Sequence, residues 1–143
     1  MYTTLLTVHS VVRWLVVLAG LATVVEAFRN PLARRPGLMF VVMIDTQALI
    51  GLTLYFFLSP ITQAAMQHMD AAMTNHVTRF WAIEHPFGML LALAFVHVGR
   101  VAAKAAAPSP ATRRRAAIFF ALALAVVLFS IPWPFLSYGR PLL

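Results

Sequence analysis

Residues 80–103 read FWAIEHPFGMLLALAFVHVGRVAA. This stretch decides the fold. Its apolar run is long enough to cross a hydrocarbon core, which takes about 20 residues of helix. It also carries ionisable residues, Glu84, His85 and His97, that a purely lipid-facing helix would not need. Three further stretches, 5–28, 38–58 and 116–135, qualify by the same measure. Of the 143 residues, 62% are hydrophobic and 10% charged, whereas a soluble domain has about 25% charged residues. So few polar residues cannot cover a soluble globule, and a soluble enzyme is excluded. Cysteine is absent, which removes disulfides, thiolate metal sites and cysteine nucleophiles. The fold expected is all-α: one transmembrane domain, a four-helix bundle running up-down-up-down. Short connections make sequential helices antiparallel neighbours in such a bundle.

Proline punctuates the chain. Asn30-Pro31 and Pro36-Gly37 bound the first connection, and Ser59-Pro60 closes the second span. Pro108 and Pro110 separate the third and fourth, and Pro132-Trp133-Pro134 ends the fourth. Proline lacks an N–H and restrains the residue before it, so these are ordinary helix stops. Between Ile61 and Thr78 the chain is too polar to span. Met66, Met69, Met73 and His76 recur there at helical spacing, which predicts a short amphipathic helix on the outer surface.

The basic residues divide unevenly. Arg29, Arg34, Arg35, Arg100, Lys104, Arg113, Arg114 and Arg115 lie on one side, and only Arg79 and Arg140 on the other. The positive-inside rule then places both termini outside, which for a bacterial inner membrane is the periplasm. The net charge of +7 is accounted for by orientation. The run Arg113–Arg115 reads as a membrane-surface anchor, and no nucleic-acid partner is expected. Trp14, Trp81, Trp133, Tyr2, Tyr55 and Tyr138 fall toward the outer side, as an interfacial belt would.

Six ionisable residues fall inside the spans: His9, Arg13, Asp45, Glu84, His85 and His97. Each costs about 2.5–3.5 kcal/mol on insertion scales, so each is a functional candidate. His9 lies about 6 Å below Leu5 and His85 about 8 Å below Phe80, at 1.5 Å per residue. They are nearly level, on the first and third helices, which are diagonal in this bundle. Two imidazoles across such a gap suit a metal between them, in particular a haem edge-on between helices. Gly88 lies near the His85 face and would let a flat macrocycle approach the backbone. Arg13 and Glu84 would pair, or Arg13 would meet a haem propionate. Pro86 frees the carbonyl of Ala82.

Asp45 and His97 form a second, inner group, level with each other and with Arg100 nearby. A direct Asp45–His97 or Asp45–Arg100 pair is expected. His97 is rotated about 120° from His85, so it does not continue the outer site. The Met and His residues of 66–76 suit Cu(I), but they equally make the apolar face of the surface helix.

The stretch HSVVRWLVVL at 9–18, the stretch FWAIEHPFGMLLALAFVHVGR at 80–100 and the closing IPWPF resemble small four-helix bacterial membrane proteins of the cytochrome b and b561-like class. The resemblance implies b-type haem held by bundle histidines, with electrons moving between quinones or other redox carriers. It makes His9 and His85 the axial ligands. Members with two haems need four such ligands. This chain offers one good pair, so one haem per chain is expected. The alternatives are a haem-free subunit of a larger membrane complex, with the same residues as polar glue, and periplasmic copper handling. A homo-oligomer is compatible with each.

The charge asymmetry yields a direct expectation. Reporter fusions after Ala107 and after Leu143 report opposite compartments, with Leu143 outside. A cytoplasmic signal at Leu143 contradicts the four-span reading or its orientation.

Overall fold

The computed structural model describes residues 1–29, 35–105 and 109–141. Asn30-Pro31, Arg34 and Pro108 lie outside the described residues. The described chain is all-helical. Helix α1 spans Tyr2–Arg29 and α2 spans Arg35–Thr53. The latter continues through a π-helical turn, Leu54–Leu58. Three short helices follow: α3 (Pro60–Gln67), α4 (Met69–Thr74) and α5 (His76–Arg79). A second π-helical turn, Phe80–Glu84, joins α5 to α6 (His85–Ala103). Helix α7 spans Pro110–Ser130.

Among the described residues, three helical stretches are long and apolar enough to cross a membrane: Tyr2–Arg29, Gly37–Leu58 and His76–Ala103. Their outward side chains are largely apolar. Leu18, Leu21, Leu49, Phe57 and Val101 are all exposed, a surface that suits lipid contact. Helix α7 differs. Arg113–Arg115 lie in its first turns, leaving 116–130 as its apolar run, about 22 Å at 1.5 Å per residue. The fourth span expected at 116–135 ends at Ser130, because Pro132 and Pro134 stop the helix. The chain then folds back in turns, with Arg140 N bonded to the Pro132 carbonyl at 3.1 Å. Gly139 is required there: a Cβ on it would collide with the carbonyl oxygens of Trp133 and Leu136.

Local chemistry sets the boundaries. At the start of α7, Ser109 Oγ accepts from Thr112 N at 3.2 Å, and Ser109 N donates to Thr112 Oγ1 at 2.8 Å. That reciprocal pair, with Pro110 at the first helical position, is a capping box. Ser59 and Asn75 cap α3 and α5 in the same manner, each accepting from the N–H three residues on.

Helix α1 packs on α2 and α7, and α6 packs on α7 and α2. One end of the assembly gathers Gly37, Gly99, Arg100 and Phe120, and the other gathers His9, Gly51, His85 and Ser130. Consecutive long helices therefore alternate in direction. The main core runs from the first end into the middle of the assembly and combines Val16, Phe40, Ile44, Ala92, Val96, Phe120, Ala123 and Val127. Small residues permit the closest approach. A Cβ on Gly99 would meet the Phe120 ring at 2.9 Å, and one on Gly88 would clash with Ser130 Oγ. Gly88 thus serves the α6–α7 approach, as small residues do between membrane helices, and does not line the cavity described below.

The segment expected as one amphipathic helix is three short ones. Met66, Met69 and Met73 are exposed, and the buried face is Thr62, Ala65 and Ala72. Ala65 and Ala72 pack with Ala82 of the second π-helical turn, so the segment sits against the end of the assembly that holds His9 and His85.

Candidate functional site

The imidazoles of His9 on α1 and His85 on α6 face each other, with ring centres 6.4 Å apart and planes at 71°. The two helices are not extensive neighbours, so this meeting crosses the assembly. Two cavities flank the pair. One, of about 100 Å³, opens on the α2 side and is lined by Gln47, Gly51, Tyr55, Trp81, Met89 and Arg140 besides the two histidines. The other, of about 50 Å³, lies on the α7 side and adds Arg13, Val127, Ser130 and Pro132.

Each histidine is held differently. His85 Nδ1 lies 2.8 Å from the Ser130 carbonyl oxygen. A carbonyl only accepts, so Nδ1 carries the proton and Nε2 carries the lone pair. That carbonyl belongs to the last turn of α7, where no intrahelical partner exists. His85 therefore satisfies a helix end while its own tautomer is fixed. The Gln47 amide donates to the His9 carbonyl at 3.0 Å, and the same Nε2 atom lies 3.2 Å from His9 Nε2. His9 Nδ1 and Gln47 Oε1 are buried with no hydrogen-bond partner among the described residues. Buried unpaired polar atoms beside a cavity mark the place of a polar ligand or water.

The backbone around the pair is irregular in a specific way. Pro86 removes the N–H that would bond the Ala82 carbonyl. Tyr55 OH, from the π-helical end of α2, donates to that carbonyl at 2.9 Å. The two π-helical turns are thereby tied together at the cavity wall, and such turns occur frequently at functional sites. Arg140 folds inward from the C-terminal segment. Its guanidinium lies 4.3 Å above the Trp81 ring and reaches Tyr2 OH at 3.4 Å. Tyr138 stacks on Phe80 at 3.7 Å. The aromatic residues expected as an interfacial belt thus brace one another around this end.

The other expected site residues fall as follows. Arg13 is buried, 8% exposed, and lines the α7-side cavity. Glu84, which the sequence offers as its partner, is exposed and bonds Arg79 Nε at 2.8 Å. Asp45 and His97 are bonded, Oδ1 to Nε2, at 2.9 Å. The Arg100 guanidinium lies instead toward Gly37 at the start of α2. His76 bonds Ser137 Oγ at 3.1 Å, and Met66, Met69 and Met73 are exposed. Among the described residues no group of three or more His, Cys, Asp or Glu side chains is placed to hold a metal ion. Gln47, Tyr55, Ser130 and Arg140 are additions that sequence reasoning missed. Ser130 acts through its backbone, which no side-chain pattern reveals. Gln47 was legible as a polar residue two positions from Asp45 within the second span.

Compared with protein-family models, with the curated proteins and with solved structures, the chain matches none. Its functional reading therefore rests on the residues and their geometry.

The groups gathered between the two cavities are two imidazoles with ring centres 6.4 Å apart. His85 presents a fixed lone pair, and the two cavities extend on either side of the pair. Both are smaller than the roughly 300 Å³ at which ligand pockets begin.

Tyr55→Phe tests the clamp. It leaves the Ala82 carbonyl without its donor. Intramembrane hydrogen bonds average about 0.6 kcal/mol with a maximum near 1.7, and a loss in that range is expected from unfolding in micelles. No loss at all contradicts the clamp.

Proposed function

We propose that the chain is a four-helix transmembrane bundle that holds one b-type haem between His9 and His85 and serves membrane electron transfer. The observation that carries this reading is the facing of two imidazoles, with no third His, Cys, Asp or Glu placed beside them among the described residues. A bare ion needs three or four protein ligands, whereas a macrocycle brings four nitrogens of its own and asks only for the two axial positions. When bound, the haem supplies one-electron chemistry at its iron.

The protein residues have definable tasks. The Ser130 carbonyl orients His85 and keeps its Nε2 free, as outer partners of metal-bound histidines do. Gln47 holds the backbone of His9 and releases the ring nitrogen when His9 ligates. Arg13 and Arg140 border the cavities with guanidinium groups, which suit carboxylates such as haem propionates. Trp81, Tyr138 and the C-terminal turns cover the outer end and limit water. The charge asymmetry supports an orientation with this end outside, the periplasmic side of a bacterial inner membrane.

A second reading keeps the same residues as a haem-free clasp in a larger membrane complex. The 3.2 Å contact between Gln47 Nε2 and His9 Nε2 favours it, because that contact occupies the lone pair a metal would need.

A histidine series separates the two. In purified protein, His9→Ala and His85→Ala each abolish a low-spin bis-His absorption spectrum. His97→Ala and His68→Ala leave it intact, and His76→Ala changes it at most partly. Retention of the spectrum in both His9→Ala and His85→Ala overturns the ligation. A featureless visible region in every preparation favours the haem-free clasp.

A further inference from the structure

The chain leaves α7 at Ile131 and closes a loop over the end that holds His9 and His85. Arg140 N bonds the Pro132 carbonyl at 3.1 Å, Leu136 N the Trp133 carbonyl at 3.0 Å and Gly139 N the Leu136 carbonyl at 2.8 Å. Among the described residues, every backbone–backbone hydrogen bond of 132–140 stays within the loop or reaches only Ile131. Compact loops whose ends meet in this way are frequently functional. The hydrogen bonds and ring contacts that join the loop to the rest of the described protein are made by its side chains. Trp133 fastens the base, with Nε1 on the Leu128 carbonyl at 3.0 Å and its ring edge-on to Trp14 at 6.2 Å. The far half has three clasps. Ser137 Oγ lies 3.1 Å from His76 Nδ1 on α5. The Tyr138 ring stacks on Phe80 at 3.7 Å, with planes 11° apart. Arg140 stands 4.3 Å over Trp81 and donates to Tyr2 OH at 3.4 Å. Arg140 lines both cavities, and Ile131 and Pro132 line the α7-side one, so the loop is part of the wall of the site.

We infer that Pro132–Arg140 is a lid, which swings as one piece about Ile131 and opens the two cavities to the aqueous side. The inference rests on the reading of the His9–His85 pair as the site beneath. Opening keeps the hydrogen bonds within the loop and gives up only side-chain contacts. No N–H or carbonyl is stranded in lipid, where it would have no partner. A fixed plug would share backbone bonds with α1 or α5, and among the described residues it shares none. Ile131 has extended backbone between helix and loop, with φ −69° and ψ 130°. Lid hinges are such element ends, where a few residues absorb the change in direction. Tyr138 and Arg140 lie farthest along the chain from this hinge and act as the latches. Phe80, only 3% exposed, lies beneath Tyr138, with its ring centre 5.8 Å from that of His85. Release of Tyr138 therefore uncovers the approach to His85, and release of Arg140 removes a wall from both cavities.

The chain contains no cysteine, and Met89 lines both cavities. In nanodiscs, Met89→Cys therefore reports opening through its rate of reaction with a charged methanethiosulfonate reagent, which does not cross lipid. Slow reaction is expected with the loop intact. Tyr138 lines neither cavity, so Tyr138→Ala acts on the latch alone. It raises the rate about 2- to 10-fold, the population shift that loss of one aromatic pair carries, while Tyr138→Phe keeps the slow rate. Ser137→His sets a second imidazole beside His76. Nickel then clamps the loop shut and slows the reaction, a chelator restores it, and nickel leaves Met89→Cys alone unaffected. Equal rates with and without Tyr138→Ala, or a rate indifferent to nickel in Ser137→His, overturn the proposal. So does a rise shared by Val96→Cys, a fully buried core position, because that is loosening of the whole bundle. The labelling rates are read without any haem spectrum, so the haem reading and the lid stand or fall separately.

Discussion

The bond between His85 Nδ1 and the Ser130 carbonyl joins the two demands this chain must meet. Backbone groups at membrane depth need partners within the protein, because lipid offers none. The last carbonyls of α7 have no intrahelical donor, and α7 stops where Pro132 and Pro134 forbid continuation. His85 supplies one donor, and Trp133 Nε1 supplies another by bonding the Leu128 carbonyl at 3.0 Å. The same contact orients the imidazole toward His9 and leaves its second nitrogen unprotonated. Structural repair and site assembly are thus one interaction. The freed carbonyl of Ala82 is handled likewise, by Tyr55, whose ring lines the cavity it helps to close.

The rest of the fold leaves space there by packing tightly elsewhere. Phe40, Phe120, Ala92, Val96 and Ala123 fill the opposite end, and Gly99 lets α7 lie close against α6 there. At the His9 end the helices carry larger polar side chains and two π-helical turns. The cavities open where close packing gives way. A site built this way rests on long helices, while the C-terminal turns and α3–α5 cover it.

Much of this was legible from depth along a helix. Counting 1.5 Å per residue puts His9 level with His85 and Asp45 level with His97, and both pairs meet in space. The loss of the Ala82 hydrogen bond follows from Pro86 alone. Its replacement does not, because Tyr55 is 27 residues away and reaches it only through the π-helical end of α2. Glu84 was misassigned for a local reason: Arg79, five residues earlier across the second π-helical turn, reaches it on the exposed side, while Arg13 is buried. The methionines of 66–73 carry the right period but the opposite face, since the small residues Ala65 and Ala72 are the ones that allow close contact with Ala82.

The central claim is that the His9–His85 pair is built around a ligand that supplies its own remaining coordination. The most direct measurement is the haem content of the unmodified protein, purified from haem-replete membranes and assayed as its pyridine haemochrome against protein mass. The account predicts one b-type haem per chain, with a low-spin spectrum in both oxidation states. Protein that is folded and helical yet carries no haem under those conditions contradicts it.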